Sequence, residues 1–576
     1  MAEREYHDFG QQKSRIKIVL VFIIVFGAVI LLRLFWLQVI KNGYYIKIAA
    51  EQHWARDVIQ AKRGKIYVKD DTTGGLYPLA ENQTLALAFA APEEISDKND
   101  TAKKLAPTLE IEEGKIKELL EKNHTYVPLK HQLSHETEEK VKSLNIRGIG
   151  ISPEQWRFWP EGQLASQLLG FVDSDGNGKY GLEQYFDDEL KGENGLYKAE
   201  IDTKGTKIAF GNNVLVPPKE GANLVLSINR DVQMQAEKFI TDSVKKHSAA
   251  NGSVIVMNPD NGEIIAMANA PTYDLNKYGE VKDYGVFRNS SVTDEFEPGS
   301  IFKVITMAAG LDTKKVEPDT KYEDTGKIVL NGYTIMNSDK KAHGWQTMTY
   351  VLQESLNTGV IYVLNQIGKP IFYDYLKKFG FGVITGIEQP SEGIGKVAAP
   401  DEVNDHTYAT MTFGQSISTT AIQMITSFAA VANGGKLVRP HLVAEKISED
   451  GKKEKIDARP IRDVLSPEAA AKERQMMVNQ VEKGHGQQAK VKGYKIAGKT
   501  GTAQVPRKDG KGYDPAKNIG SFIGFGPADS PRFIVMAVVD SPKGIPWAES
   551  SAAPVVGQML DFLLKYYQVP PTEIVK

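Results

Sequence analysis

Three short clusters of hydroxyl and amine side chains could do chemistry: Ser300-Ile301-Phe302-Lys303, Ser355-Leu356-Asn357 and Lys499-Thr500-Gly501-Thr502. Glu297-Pro298-Gly299 precedes the first, and residues 301–311 are apolar almost throughout. Pro and Gly directly before such a run mark a helix start. Ser300 then lies in the first turn, where backbone N–H groups are unpaired, and Lys303 follows one turn on along the same face. A lone Lys in a helix apolar all round is buried at a cost. Desolvation lowers its pKa, so that part of it is a neutral base able to activate a serine without histidine. S-x-x-K alone is weak, since it recurs at Ser14, Ser243 and Ser338, and S-x-N recurs at Ser143 and Ser227. K-[ST]-G occurs only at Lys499. The ordered set discriminates: S-x-N comes 55 residues after Ser300, and K-T-G-T a further 144 on.

The elements that must position these clusters belong to a chain of 576 residues, long enough for several domains with large cores. Lys+Arg 70 against Asp+Glu 72 leaves a formal charge of −2, no electrostatic footprint for nucleic acid. The absence of Cys excludes disulfides, thiol nucleophiles, iron–sulfur clusters and thiolate zinc sites. Residues 18–32 are all apolar or Gly, and after Arg33 the run resumes to Ile40. That length suffices to cross a bilayer, which takes about 20 residues. Arg4, Lys13, Arg15 and Lys17 precede it, so the positive-inside bias keeps residues 1–17 cytoplasmic and the rest outside. A cleaved signal would end its shorter apolar region at a small-residue site, whereas Ile48-Ala49-Ala50 lies well past the run. No second run reaches spanning length, so a single-pass anchor over 18–40 in the cell membrane is expected.

Residues 41–220 are charge-rich, with a helical pattern over 101–121, a short strand over 65–68 and a hinge at Val216-Pro217-Pro218. From Gly221 the texture changes. Residues 223–228 alternate like a strand, 231–246 read as an amphipathic helix, and 253–257 and 263–268 flank the turn Pro259-Asp260-Asn261-Gly262, a hairpin signal. A second strand-rich zone covers 495–505, 521–526 and 533–540, with a last helix over 554–567. Strands at both ends and helices between imply an antiparallel sheet flanked by helices. The expected class is α+β and multidomain, with a 1–17 tail, an 18–40 anchor, a 41–220 domain and a catalytic domain over 221–576.

Other motif matches fail on chemistry. Residues 493–500 spell the phosphate-loop pattern G-x-x-x-x-G-K-T, but that loop must open into a helix, and Gly501-Thr502-Ala503-Gln504-Val505-Pro506 reads as extended chain. Asp173-Ser174-Asp175-Gly176-Asn177-Gly178 nearly spells a calcium loop. Its twelfth position is Gln184, with Glu183 one place early, so the bidentate carboxylate is out of register. His131 and His135 stand at helical spacing, with Gln132 where a zinc protease needs Glu, and read as a solvated helix face. No metal or cofactor is expected.

S-x-x-K, S-x-N and K-T-G in this order form the signature of penicillin-binding proteins and class A β-lactamases. Over nearly its whole length the chain resembles a class B penicillin-binding protein, a membrane-anchored, monofunctional peptidoglycan D,D-transpeptidase. Arg63-Gly64-Lys65-Ile66 is similar to the start of that family's non-catalytic dimerisation-type, or pedestal, domain. Trp159-Pro160, Leu168-Leu169-Gly170-Phe171 and Gly181-Leu182-Glu183 with Tyr185 resemble its inter-domain signatures. Phe413-Gly414-Gln415, Thr419, Gln423 and Ala432-Asn433-Gly434-Gly435 resemble blocks of its transpeptidase domain, a β-lactamase-like fold. Val68-Lys69-Asp70-Asp71 departs from the family, where Asp, Arg and a Gly turn usually follow.

The resemblance implies Ser300 as acylated nucleophile, Lys303 as its base and Ser355 as proton relay to the leaving amine. Asn357 would hold the donor's amide, Lys499 would orient Ser355, and Thr500 and Thr502 would bind the terminal carboxylate. Gly501 would let the strand approach substrate, and the N–H groups of Ser300 and Thr502 would form the oxyanion hole. The implied partners are stem peptides ending in D-Ala-D-Ala, β-lactams as covalent inhibitors, and a separate glycan-polymerising membrane protein. A D,D-carboxypeptidase or β-lactamase on the same fold would use water as acceptor, though no efficient deacylating base is apparent for a β-lactamase. A non-catalytic β-lactam receptor or scaffold of the wall-synthesis complex is a different class, and a 17-residue tail is too short for an effector domain.

Overall fold

In the computed structural model the residues described are 2–45, 54–69, 74–122, 124–200, 213–457, 460–507, 512–545 and 547–573. Ile48-Ala49-Ala50 and the Asp70-Asp71 departure lie outside them. The chain divides into two units, one of Met1–Ala61 with Glu193–Lys219 and one of Lys62–Gly192 with Glu220–Lys576.

In the first unit, the apolar run lies in a helix Ala2–Phe35 that continues through a π-helical turn, Trp36–Ile40. The segment Ile16–Ile40 has mean hydropathy 3.1 and is long and apolar enough to cross a membrane. The helix begins well before residue 18, so most of the expected tail continues it. At its far end Arg33 and Lys41 sit over the Trp36 ring, 5.1 and 5.3 Å from its centroid, the amphipathic grouping favoured at a bilayer interface. The strands Trp54–Ile59, Gly195–Glu200 and Asn213–Val216 form a three-stranded antiparallel sheet in that order.

The larger unit contains a seven-stranded sheet that crosses the expected 220/221 division. Asn223–Leu226 pairs in parallel with Ile66–Lys69 on one side and antiparallel with Val443–Ile447 on the other. Ile66–Lys69 leads on to the long strand Leu76–Ala90, which pairs with Val127–Leu133 and Ile149–Phe158. The helical pattern over 101–121 becomes two helices, Lys98–Leu109 and Glu113–Glu121. Their buried Leu105, Leu109, Ile116 and Leu120 pack on the sheet's Ala86, Ala88 and Ala90. His131 is on a strand and His135 starts a helix, so they share no helix face; His131 Nδ1 instead pairs with Glu154 at 2.8 Å.

The Gly-Leu-Glu block at 181–183 has a structural use. Glu183 is fully buried and accepts from Arg63 Nε and Arg157 Nε, each at 2.7 Å, while Arg157 Nη1 donates to Gly64 O at 2.8 Å. One carboxylate thus compensates two guanidinium groups that are nearly removed from water.

The catalytic-domain sheet is five-stranded and antiparallel: β1 Asn251–Met257, β2 Ile264–Ala270, β3 Ala497–Pro506, β4 Tyr513–Gly526 and β5 Phe533–Asp540, in the order β2-β1-β5-β4-β3. Alternation divides it between two cores. Val254 and Val256 of β1 with Val535, Ala537 and Val539 of β5 face helices α1 Arg230–Lys246 and α7 Ala552–Tyr566. Ile255, Met257, Ile534 and Met536 face the opposite way, into the core shared by α2 Lys303–Asp312, α3 Met348–Gln353, α4 Asn357–Ile367, α5 Ala421–Ala432 and α6 Pro467–Glu482. Edge strand β3 carries the K-T-G-T cluster and pairs only with β4.

Replacing Glu183 by Ala leaves buried Arg157 without its carboxylate and Arg63 with Asp187 alone, at 2.7 Å, and should lower unfolding stability by about 3 kcal/mol or more. Thermal melts read by circular dichroism check this, with the exposed Glu136→Ala as the unchanged reference.

Candidate active site

Ser300 sits in a 3₁₀ turn, Gly299–Phe302, that runs straight into α2, so Lys303 is the first residue of the α-helix proper. Two glycines make the turn possible. Gly299 has φ +58°, and a Cβ there would lie 2.7 Å from Thr502 O; a Cβ on Gly414 would lie 2.2 Å from Gly299 O. The Phe413-Gly414-Gln415 block therefore supports the turn, and Gly299 N donates to Gly414 O at 3.0 Å. Glu297, just upstream, is held by Ser416 N at 2.9 Å and the Tyr513 hydroxyl at 3.0 Å.

All of α2 from Lys303 to Leu311 is buried except for traces, and Lys303 is wholly so. Its Nζ donates to the Ser355 backbone carbonyl and, at 3.2 Å, to Ser355 Oγ. From the opposite side Lys499 Nζ donates to the same Oγ at 3.0 Å, and to Thr500 O at 3.2 Å. Two buried lysines thus converge on one hydroxyl oxygen. Burial drives the Lys303 amine far below the ordinary lysine range, and the neighbouring Lys499 adds to the shift. Burial lowers Lys499 to about 7, while the Glu354 carboxylate pulls it upward. Burial and the closeness of the two amines thus both disfavour the state in which each is charged.

Ser355 occupies the left-handed region, φ +60°, between α3 and α4, a strained conformation for a non-glycine residue. Asn357 opens α4, and its Nδ2 donates to Met336 O at 2.7 Å. Behind it lies a buried polar network that the sequence did not signal. Asp324 accepts from Thr358 Oγ1 at 2.6 Å and from Asn337 Nδ2 at 2.9 Å, and Asn337 Oδ1 accepts from Asn357 N at 2.9 Å. This network satisfies the first N–H groups of α4 and fixes the S-x-N turn.

Ser300, Ser355, Thr500 and Thr502 line one cleft of about 370 Å³. Gly501 faces the other way: a Cβ there would lie 2.5 Å from Ser521 Oγ and 2.9 Å from Pro298 O, so the glycine lets β3 lie against the Ser300 turn. Gly501 thus permits a close approach of backbone to backbone beside Ser300. Other lining residues that the sequence did not single out are Glu354, His485, Trp547 and Glu549. Buried Gln480 of α6 is a further addition. Oriented with its nitrogen toward Gly498 O, 3.1 Å, its oxygen accepts from Thr500 Oγ1 and Gly486 N, each 3.2 Å. No sequence pattern distinguished these residues from other surface or core polar groups.

Two other motif matches have plain structural readings. Residues 497–506 form strand β3, with no helix after the G-K-T. Asp173 accepts from Asp175 N and Asn177 N and pairs with Lys179 at 3.3 Å, an ordinary capped turn. Among the described residues no group of His, Asp and Glu is arranged to hold a metal.

A serine turn, two lysines on a second serine and a threonine-bearing edge strand thus lie together in one site. Residues 252–561 match the penicillin binding protein transpeptidase domain, and residues 58–226 the penicillin-binding protein dimerisation domain. The chain belongs to the penicillin-binding protein transpeptidase family, in its class B, two-domain form. It is 34% identical over 564 residues to stage V sporulation protein D of Bacillus subtilis, spanning 96% of this chain and 86% of that protein. It is 30% identical to a probable peptidoglycan D,D-transpeptidase, PbpC, of Pseudomonas aeruginosa, covering 86% of each. Among solved structures, penicillin binding protein 3 of Mycobacterium tuberculosis in complex with aztreonam superposes with a TM-score of 0.69 at 26% identity, over 90% of this chain and 99% of that one.

The lysine pair has a measurable signature in stability. Between about pH 7 and the ordinary lysine value of 10.5, the unfolded chain binds a proton that folded Lys499 does not, so stability rises with pH across that window. Lys499→Met should flatten this slope, read as the change in melting midpoint between mildly acidic and alkaline buffers.

Proposed function

We propose that the protein is a penicillin-sensitive serine D,D-transpeptidase that cross-links peptidoglycan stem peptides through an acyl-enzyme on Ser300. The observation that carries this reading is the convergence of Lys303 and Lys499 on Ser355 Oγ, in a cleft that also presents Ser300, Thr500 and Thr502. A donor ending in D-Ala-D-Ala lies along edge strand β3 by strand addition, its carboxylate on the Thr500 and Thr502 hydroxyls and its amide near Asn357. Neutral Lys303 takes the Ser300 proton, and Ser300 Oγ attacks the penultimate carbonyl carbon. The developing oxyanion is received by the N–H groups of Ser300 and Thr502. The proton passes through Ser355 to the departing D-Ala amine as the C–N bond breaks. An amine of a second stem peptide then attacks the ester, forms the cross-link and returns a proton to Ser300. Lys499 holds Ser355 in place, and β-lactams enter as donor mimics.

In the same reading residues 18–40 anchor the protein in the cell membrane, with the tail cytoplasmic, a pedestal over 41–220 and the catalytic domain over 221–576 outside. The basic residues before the apolar run support that orientation. Glycan polymerisation falls to a separate membrane protein.

The test is covalent labelling by a fluorescent penicillin. Wild type should form a one-to-one adduct that is hydrolysed slowly, while Ser300→Ala and Lys303→Met should form none; labelling retained by the Ser300 variant overturns the assignment. Because Lys303 works as a neutral base, the labelling rate should fall as pH drops through its lowered value and the amine gains its proton.

A further inference from the structure

The cleft wall beside Ser355 holds an arrangement that acylation does not use. His485, in the loop after α6, points both ring nitrogens at carboxylates. Nδ1 is 3.2 Å from Glu549 Oε2, and Nε2 is 3.8 Å from Glu354 Oε2. Glu354 directly precedes Ser355, Glu549 lies beyond β5, and all three residues line the cleft that contains Ser300. Among the described residues His485 is the one basic side chain within ion-pair distance of either carboxylate. Glu354 Oε1 also accepts from Gln353 Nε2 at 2.9 Å. The loop is pressed into position: a Cβ on Gly484 would lie 2.3 Å from Gln353 O, and one on Gly486 2.4 Å from Gln480 Oε1. The imidazole itself is half exposed, whereas the carboxylates are more covered.

We propose that Glu354 and Glu549 form the subsite for the cationic amine of the acyl acceptor, with the His485 imidazole as the side chain that occupies it until the acceptor arrives. This rests on the transpeptidase reading and adds to it the residues that favour an amine over water. Acylated Ser300 faces abundant water, and an aliphatic acceptor amine reaches the cleft as an ammonium ion, since its pKa is close to that of lysine, roughly 10.4. Two carboxylates in a partly desolvated wall concentrate that ion beside the ester, where it passes one proton to neutral Lys303 before its amine attacks. Their chemistry suits an ammonium and opposes a carboxylate, which the Thr500 and Thr502 hydroxyls take instead. The cleft thereby sorts the two substrates by charge. His485 competes for the same carboxylates, so it sets how readily the acceptor enters.

The two kinds of substitution should move one quantity in opposite directions. The full-length protein in detergent is given a D-alanyl thioester donor, whose released thiol reports acylation, and a peptide acceptor bearing a lysine side-chain amine. The ratio of aminolysis to hydrolysis is then measured, and it does not depend on the fraction of active enzyme. Glu549→Gln should lower the ratio about fivefold, and His485→Gln should raise it about threefold, the scale of a partly exposed charge contact. A merely structural role would move both variants the same way or neither. An unchanged ratio in Glu549→Gln, or a lowered one in His485→Gln, overturns the subsite. Absence of thiol release from wild type would instead overturn the transpeptidase reading itself.

Discussion

The site depends on one constraint: two lysine amines share a single hydroxyl oxygen in a place where water cannot screen them. In water Lys303 and Lys499 would both be charged and useless as bases. Burial against Ser355 Oγ disfavours the state in which both keep their protons. Lys303 Nζ also donates to the Ser355 carbonyl and Lys499 Nζ to Thr500 O, so each amine is tied to the backbone beside the shared hydroxyl. Burial lowers both amines and the charge of Lys499 lowers Lys303 further, which is why Lys303 cannot be understood as an isolated motif.

That constraint dictates the surrounding architecture. Lys303 must leave a helix buried on every side, Lys499 must come from a strand, and Ser355 must sit between them with its hydroxyl inward. The left-handed backbone of Ser355 is the local cost of that placement. It is held by Asp324 and Asn337 through the start of α4, and by Lys303 through the Ser355 carbonyl. Gly299, Gly414 and Gly501 let the Ser300 turn, the 413–415 block and β3 approach to backbone contact. A methyl group at any of the three would push apart the elements that bring the lysines together.

Much of this was legible in the sequence. A polar Lys in an apolar helix is visible as a pattern, and so are a Pro-Gly helix start, alternation in 223–228, a hairpin turn at 259–262 and a run of membrane-spanning length. The five-stranded antiparallel sheet follows from strand-rich zones at both ends of a helical stretch. What escaped was set by tertiary contact alone. Asp324, Gln480 and His485 look like ordinary polar residues until the fold brings them to Thr358, Thr500 and Glu549. Gly501 was read for its motif, yet its missing side chain serves the Ser300 turn. His131 and His135 matched a helical spacing because a strand followed by a helix can place two residues four apart as easily as a helix can.

The absence of cysteine sharpens the energetic problem. Two depressed lysines, a strained serine and a carboxylate shared by two buried arginines all oppose folding or contribute little to it, and no disulfide offsets them. Burial of side chains such as Phe302, Phe372, Phe379 and Phe428 must do so, at about 1.5–3 kcal/mol for each large apolar group. The sheet that joins Ile66–Lys69, Asn223–Leu226 and Val443–Ile447 extends that support across the 220/221 division. The dimerisation-domain segment is therefore more than a spacer: its strand is hydrogen-bonded into the catalytic half, so the stability that keeps two amines dry is drawn from both.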